Sequence, residues 1–125
     1  MDILLVGADP DYSEQLKTRM MRHGHQLDVA CSCSEALKLS LSGDYALVFV
    51  DLDQARKTGK DVIAALKAQR PDCRIVGMTK DNSRSLELSA RRQGVIFYMV
   101  QPAEDKYAET IVQYVSDQLN REMEE

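Results

Sequence analysis

Five short apolar-rich runs recur along this chain, and a stretch with helical spacing separates each from the next. They are ILLV (3–6), QLDVA (26–30), YALVFV (45–50), RIVGM (74–78) and VIFYMV (95–100). The third and fifth show almost no polar alternation. A strand can dispense with a polar side only when both its faces are covered, which is the situation in a parallel sheet flanked by helices. Strands that alternate with helices assemble as βαβ units with right-handed crossovers. The pattern therefore predicts an α/β fold, a doubly wound five-stranded parallel sheet with five helices.

The intervening stretches carry the matching start and stop signals. In DPDYSEQLKTRMMRHG, Asp9 is placed to cap a helix, Pro10 to occupy its first turn and Gly24 to end it. Tyr12, Leu16 and Met20 recur every four residues and lay one apolar stripe along that helix. Helices are also expected over 34–43, from Gly59 towards Pro71 and over 81–94, and after Pro102. The 81–94 segment has little apolar surface beyond Leu86, Leu88 and Ala90. With no linker, repeat or low-complexity segment, residues 1–125 read as one domain.

Composition narrows the function classes. A net charge of −4 with mixed signs and no basic stripe argues against direct nucleic-acid binding. No apolar run approaches a membrane span, and the N-terminal residues lack a signal-peptide pattern, so the expectation is a cytoplasmic protein. Three cysteines without a secretion signal read as reduced thiols. Cys31 and Cys33 form a lone CxC, and His23 and His25 flank Gly24. Neither group approaches the four ligands of a structural zinc site, so no metal centre is expected.

One run raises a sharper question. ALVFVDLD (46–53) is built for burial yet ends on two carboxylates, Asp51 and Asp53. A buried charge is costly unless it is paired or hydrogen-bonded. In open parallel sheets, however, sites form beyond the carboxyl ends of the strands, where the strand order reverses. Asp51 stands at such an end, and on a continuing strand Asp53 would face the same side.

The other strand ends read VGAD, GMTK and MVQP. In order and spacing these segments resemble the receiver domain of bacterial two-component response regulators over essentially the whole chain. The resemblance implies a flavodoxin-like sheet of order 2-1-3-4-5. It places Asp51 at the phospho-acceptor position, Gly59 at the loop glycine, and Thr79 and Tyr98 at the hydroxyl and aromatic switch positions. ARRQG (90–94) and Pro102 match the segments flanking strand five. It also implies signalling through a phosphorelay and transcription regulation, with a histidine kinase or phosphotransfer protein as partner. An output domain or a second copy would dock on the face of helix four, strand five and helix five, here carrying Arg84, Arg91, Tyr98 and Lys106.

The departures concentrate in the chemistry. The family's acidic metal pair is here Gly7 and Ala8, its lysine before the proline is Gln101, and Asp9 falls one residue too far. Phosphoryl transfer depends on neutralising charge at the phosphoryl oxygens, normally with metal and cation. Arg56, Lys57 and Lys60 follow the acceptor and offer loop cations. The expectation is an atypical receiver domain that is not an enzyme. It would bind Mg²⁺ weakly or not at all, have no other cofactor, and act through protein–protein contacts. The alternatives are a flavodoxin-like small-ligand module or an inert scaffold. GADPD, with one glycine and two acids, suits a phosphate-cradling loop poorly.

Overall fold

The computed structural model describes residues 1–58, 61–101 and 106–124, with side-chain surroundings described except at 56–58 and 124. The elements are β1 (Asp2–Val6), α1 (Pro10–Arg22), β2 (Gln26–Ala30), α2 (Cys33–Ser42), β3 (Leu47–Asp51) and α3 (Leu52–Thr58). They continue with α4 (Val62–Gln69), β4 (Ile75–Thr79), α5 (Arg84–Arg92), β5 (Val95–Val100) and α6 (Tyr107–Glu124). All strand pairings are parallel and the sheet order is β2-β1-β3-β4-β5. The fold class and strand order are those expected.

Successive side chains of each strand point to opposite faces, and this builds two cores. Ile3, Leu5, Leu47, Phe49, Val76 and Met78 meet Leu16 and Met20 of α1 and Ile111 and Val115 of α6. Leu4, Val6, Val48, Val50 and Ile75 meet Ala36 of α2, Val62, Ile63 and Leu66 of α4 and Ala90 of α5. Phe49, between the two helices of the first layer, is fully buried. Burial of a side chain of that size contributes about 1.5–3 kcal/mol.

The helix starts follow the capping logic of the sequence. Asp9 accepts the Tyr12 amide at 2.9 Å, Pro10 opens α1, and Gly24 follows it at φ +80°. Ser32 caps α2 through the Glu35 amide, while Glu35 reaches back to the Cys31 amide. Cys31 and Cys33 are free thiols at that helix start.

Two features depart from the expectation. A sixth helix, α3, begins directly after Asp51, so β3 does not continue to Asp53. Its Leu52 folds over Gly77 of β4, where an added Cβ would lie 2.9 Å from Leu52 Cδ1. β5 is also less enclosed than its apolar sequence suggested. It forms a sheet edge, and Ile96 remains 43% exposed. No helix among the described residues is long and apolar enough to cross a membrane.

Candidate functional site at the carboxyl edge of the sheet

The chain reverses direction across the sheet between β1 and β3, and both strands end at one cleft of about 460 Å³. Its lining includes Gly7, Ala8, Asp9, Asp51, Asp53 and Lys80. Asp51, expected at the acceptor position, and Gly7 and Ala8, expected at the metal positions, are therefore brought together. Gln101 stands farther along the same edge and is buried, its backbone N–H donating to the Thr79 carbonyl at 2.8 Å. Gly59, Lys60 and Pro102 lie outside the described residues.

Asp51 is occupied as a helix cap. Its Oδ1 accepts the Asp53 amide at 2.9 Å and the Gln54 amide at 3.1 Å, which satisfies donors of the first turn of α3. Burial pushes its carboxyl above the usual carboxylate range. The Gln54 and Asp53 amides and the Lys80 charge oppose that rise, while the Asp53 charge adds to it.

Asp53 was expected on the strand beside Asp51. The turn of α3 instead aims it across to β4. Its Oδ1 accepts the Thr79 hydroxyl at 2.6 Å and its Oδ2 accepts the Lys80 amide at 2.8 Å. Thr79 is fully buried, and its oxygen also accepts the Asp81 amide at 2.9 Å. The strand-four hydroxyl is thus bonded to Asp53.

Gly7 adopts φ +81°, and the adjacent Ala8 packs against the α1 side of the core. Asp9 divides between the Tyr12 amide and Lys80, whose Nζ lies 3.5 Å from its Oδ2. The Tyr12 amide first, and then the Lys80 charge, hold Asp9 below the usual carboxylate range despite some desolvation. Lys80 is the cation of this cleft that sequence reasoning passed over. Its signal was present, since it directly follows Thr79 in GMTK.

The candidate contact face is divided. Arg84 and Lys106 are exposed, and Arg91 pairs with Glu87 at 3.0 Å. Tyr98, expected among them, is buried instead, and its hydroxyl donates to Asn82 Oδ1 at 3.1 Å. Because α3 was not anticipated, the face of helix four, strand five and helix five corresponds here to α5, β5 and α6. The large apolar side chains these three elements expose are Leu88, Ile96, Tyr107, Tyr114 and Met123. Phe97 packs edge-on against Tyr107 and Tyr114, with ring centroids 6.4 and 5.9 Å apart.

No family model matches the chain. The photosynthetic apparatus regulatory protein RegA of Cereibacter sphaeroides is 31% identical over 102 residues, 82% of this chain and 55% of that protein. The acid tolerance regulatory protein ActR of Rhizobium meliloti is 24% identical over the same share of this chain and 53% of its own length. Among solved structures, a two-component response regulator from Clostridium difficile superposes with a TM-score of 0.85 at 24% identity, covering 96% of this chain and 98% of that one. The response regulator TrrA from Thermotoga maritima, in complex with Mg²⁺ and beryllofluoride, has a TM-score of 0.74 at 25% identity, covering 91% and 97%.

This chain is a response-regulator receiver domain. It spans about half the length of the curated relatives it matches, 55% and 53% for RegA and ActR. The receiver domain has the sheet order β2-β1-β3-β4-β5, with its cleft at the ends of β1 and β3. At the end of β1 that cleft is lined by Gly7 and Ala8, followed by Asp9.

Proposed function

We propose that this receiver domain serves two-component signalling with Asp51 at the phospho-acceptor position, but does so without Mg²⁺-dependent phosphorylation. Its output is a protein–protein contact made through the face of α5, β5 and α6. A histidine kinase or phosphotransfer protein is the upstream partner class. An output domain or a second copy of the chain is the downstream one.

The observation that carries this reading is that each of the three carboxylates lining the cleft among the described residues already holds a protein group. Asp51 caps α3, Asp53 holds Thr79 and the Lys80 amide, and Asp9 holds the Tyr12 amide and pairs with Lys80. Mg²⁺ demands near-octahedral oxygen coordination and usually keeps one or two carboxylates for itself. The residues present do not fit that demand, because Gly7 and Ala8 supply no side-chain oxygen. Among the described residues, no three of His, Cys, Asp and Glu group as a metal site. Gln101, at the lysine position, offers a neutral amide where the chemistry calls for a cation.

The test is intact-mass measurement after incubation with acetyl phosphate and Mg²⁺, comparing wild type with Asp51→Asn. The proposal expects both proteins to keep their starting mass. A phosphoryl adduct on wild type that is missing from Asp51→Asn would overturn it.

A further inference from the structure

The cleft contains a second acid whose role the family pattern leaves open. We infer that Asp53 is a positioning residue that occupies the place of a phosphoryl group at Thr79, holding Thr79 and Tyr98 in one arrangement while Asp51 stays unmodified. This rests on the proposed function and on the switch roles that the family resemblance implies for Thr79 and Tyr98.

A threonine hydroxyl has one proton to donate. Here that proton goes to an anionic carboxylate oxygen at 2.6 Å, in the distance range of a charge-assisted bond. An oxygen of a phosphoryl group on Asp51 would be the same kind of acceptor, anionic and at the same edge of the sheet. It would have to compete for a proton already given to Asp53. The second carboxylate oxygen takes the Lys80 amide, so Asp53 fixes both the side chain and the backbone at the end of β4.

The arrangement is transmitted in both directions by bonds already described. Upstream, Asp51 caps α3 and so fixes the turn that aims Asp53 at β4. Downstream, Thr79 anchors the Asp81 amide, and Asn82, the next residue, accepts the Tyr98 hydroxyl. β4 and β5 also pair directly, Gly77 with Tyr98 and Thr79 with Val100. The loop between β4 and α5 thus connects the hydroxyl held by Asp53 to the buried aromatic ring. A network of this kind acts as a switch when one of its bonds is removed and the rest resettles.

The test uses the full chain labelled with fluorotyrosine, with the Tyr98 signal assigned by Tyr98→Phe, in wild type, Asp53→Ala, Asp53→Asn and Thr79→Val. Asp53→Ala and Thr79→Val should each move the Tyr98 fluorine resonance away from its wild-type position. Combining Asp53→Ala with Thr79→Val in one chain should add no further displacement. Asp53→Asn keeps an acceptor oxygen and should restore the wild-type position. Asp53→Ala should also lose hydrogen-exchange protection at the Lys80 amide. A Tyr98 resonance unmoved in Asp53→Ala overturns the inference. If that variant does not fold, an unmoved resonance in Thr79→Val does so. These readouts need no phosphorylation, so they are separable from the mass test. Phosphorylated wild type with a displaced Tyr98 in Asp53→Ala would overturn the proposed function and leave Asp53's role standing.

Discussion

Replacing Gly7 first by alanine and then by aspartate separates backbone strain from charge at the position where the family resemblance implies a metal-binding acid. Gly7 sits at φ +81°, a conformation that costs a residue with a Cβ about 1–2 kcal/mol. The added Cβ would lie 3.4 Å from Gln54 Cβ and Cγ and 3.6 Å from Asp51 Cβ, close to ordinary contact, so steric overlap adds little. Gly7→Ala should therefore lose about 1–2 kcal/mol, all of it conformational. The same 3.6 Å approach brings the carboxylate of Gly7→Asp near that of Asp51. Two charges about 5 Å apart at an effective dielectric of about 20 repel by about 3 kcal/mol, reduced to about 1 kcal/mol by screening in an open cleft.

Urea denaturation of the three proteins at neutral and mildly acidic pH is the assay. The sign follows from linkage. Repulsion raises the folded-state pKa of both acids, so the charge penalty is full above the folded pKa values and disappears as pH falls through them. The deficit of Gly7→Ala should be the same at both pH values, while the extra deficit of Gly7→Asp shrinks in acid. A Gly7→Ala variant as stable as wild type would refute the left-handed geometry. A pH-independent extra deficit in Gly7→Asp would refute the charge argument.

Other outcomes follow from the same contacts. Asp51→Asn keeps an oxygen to cap α3 and removes a carboxyl whose folded pKa is raised, so at neutral pH it should be neutral to stabilising. Any gain should fade as pH falls through that raised pKa, which urea titrations across pH will show. Millimolar Mg²⁺ should leave the melting temperature of wild type nearly unchanged, since even a ligand at its dissociation constant adds only about 0.4 kcal/mol. A clear rise that vanishes in Asp51→Asn would contradict this. The triple variant Gly7→Asp, Ala8→Asp, Gln101→Lys should gain Mg²⁺ affinity by calorimetric titration while losing metal-free stability, and a folded triple variant with no such gain would count against the placement of Gly7 and Ala8. Ser83→Ala removes the side-chain oxygen that accepts the Leu86 amide at 3.1 Å, and α5 should lose about 1 kcal/mol by urea denaturation.

The parts of the fold that were legible in the sequence are those written locally. Unalternated apolar runs report two-sided burial, and Asp9, Pro10 and Gly24 mark the limits of α1. The helix after Asp51 had a local signal too. An aspartate followed by Leu52, Gln54 and Ala55 is a cap followed by helix formers, but the preceding apolar run invited reading Asp53 as more strand. The family resemblance brought Asp51, Gly7 and Ala8 to one cleft.

What could not be read depends on distant partners. The bond from Asp53 to Thr79 joins residues 26 apart in sequence, and no local pattern encodes it. The Asn82 partner of Tyr98 is equally nonlocal, so an aromatic that looked suited to an exposed face proved buried. Gly7 was implied by the resemblance to stand where the family has a metal-binding acid. Its left-handed backbone, which makes restoring an acid there costly, appears only in the structure.

The most direct measurement of the central claim is backbone NMR of the receiver domain with Mg²⁺ and beryllofluoride, a mimic of a phosphorylated aspartate. A ligand shifts a conformational equilibrium only by its differential affinity for the two states, and reversing a 1:99 population takes about 5.5 kcal/mol. A neutral amide such as that of Gln101 can donate a hydrogen bond worth about 0.5–1.5 kcal/mol, against about 1.5–3 for a charged group. With Thr79 already bound to Asp53, resonances from 79 to 101 are expected to stay where they are. Large shifts spreading from Asp51 through residues 79–100 would contradict it.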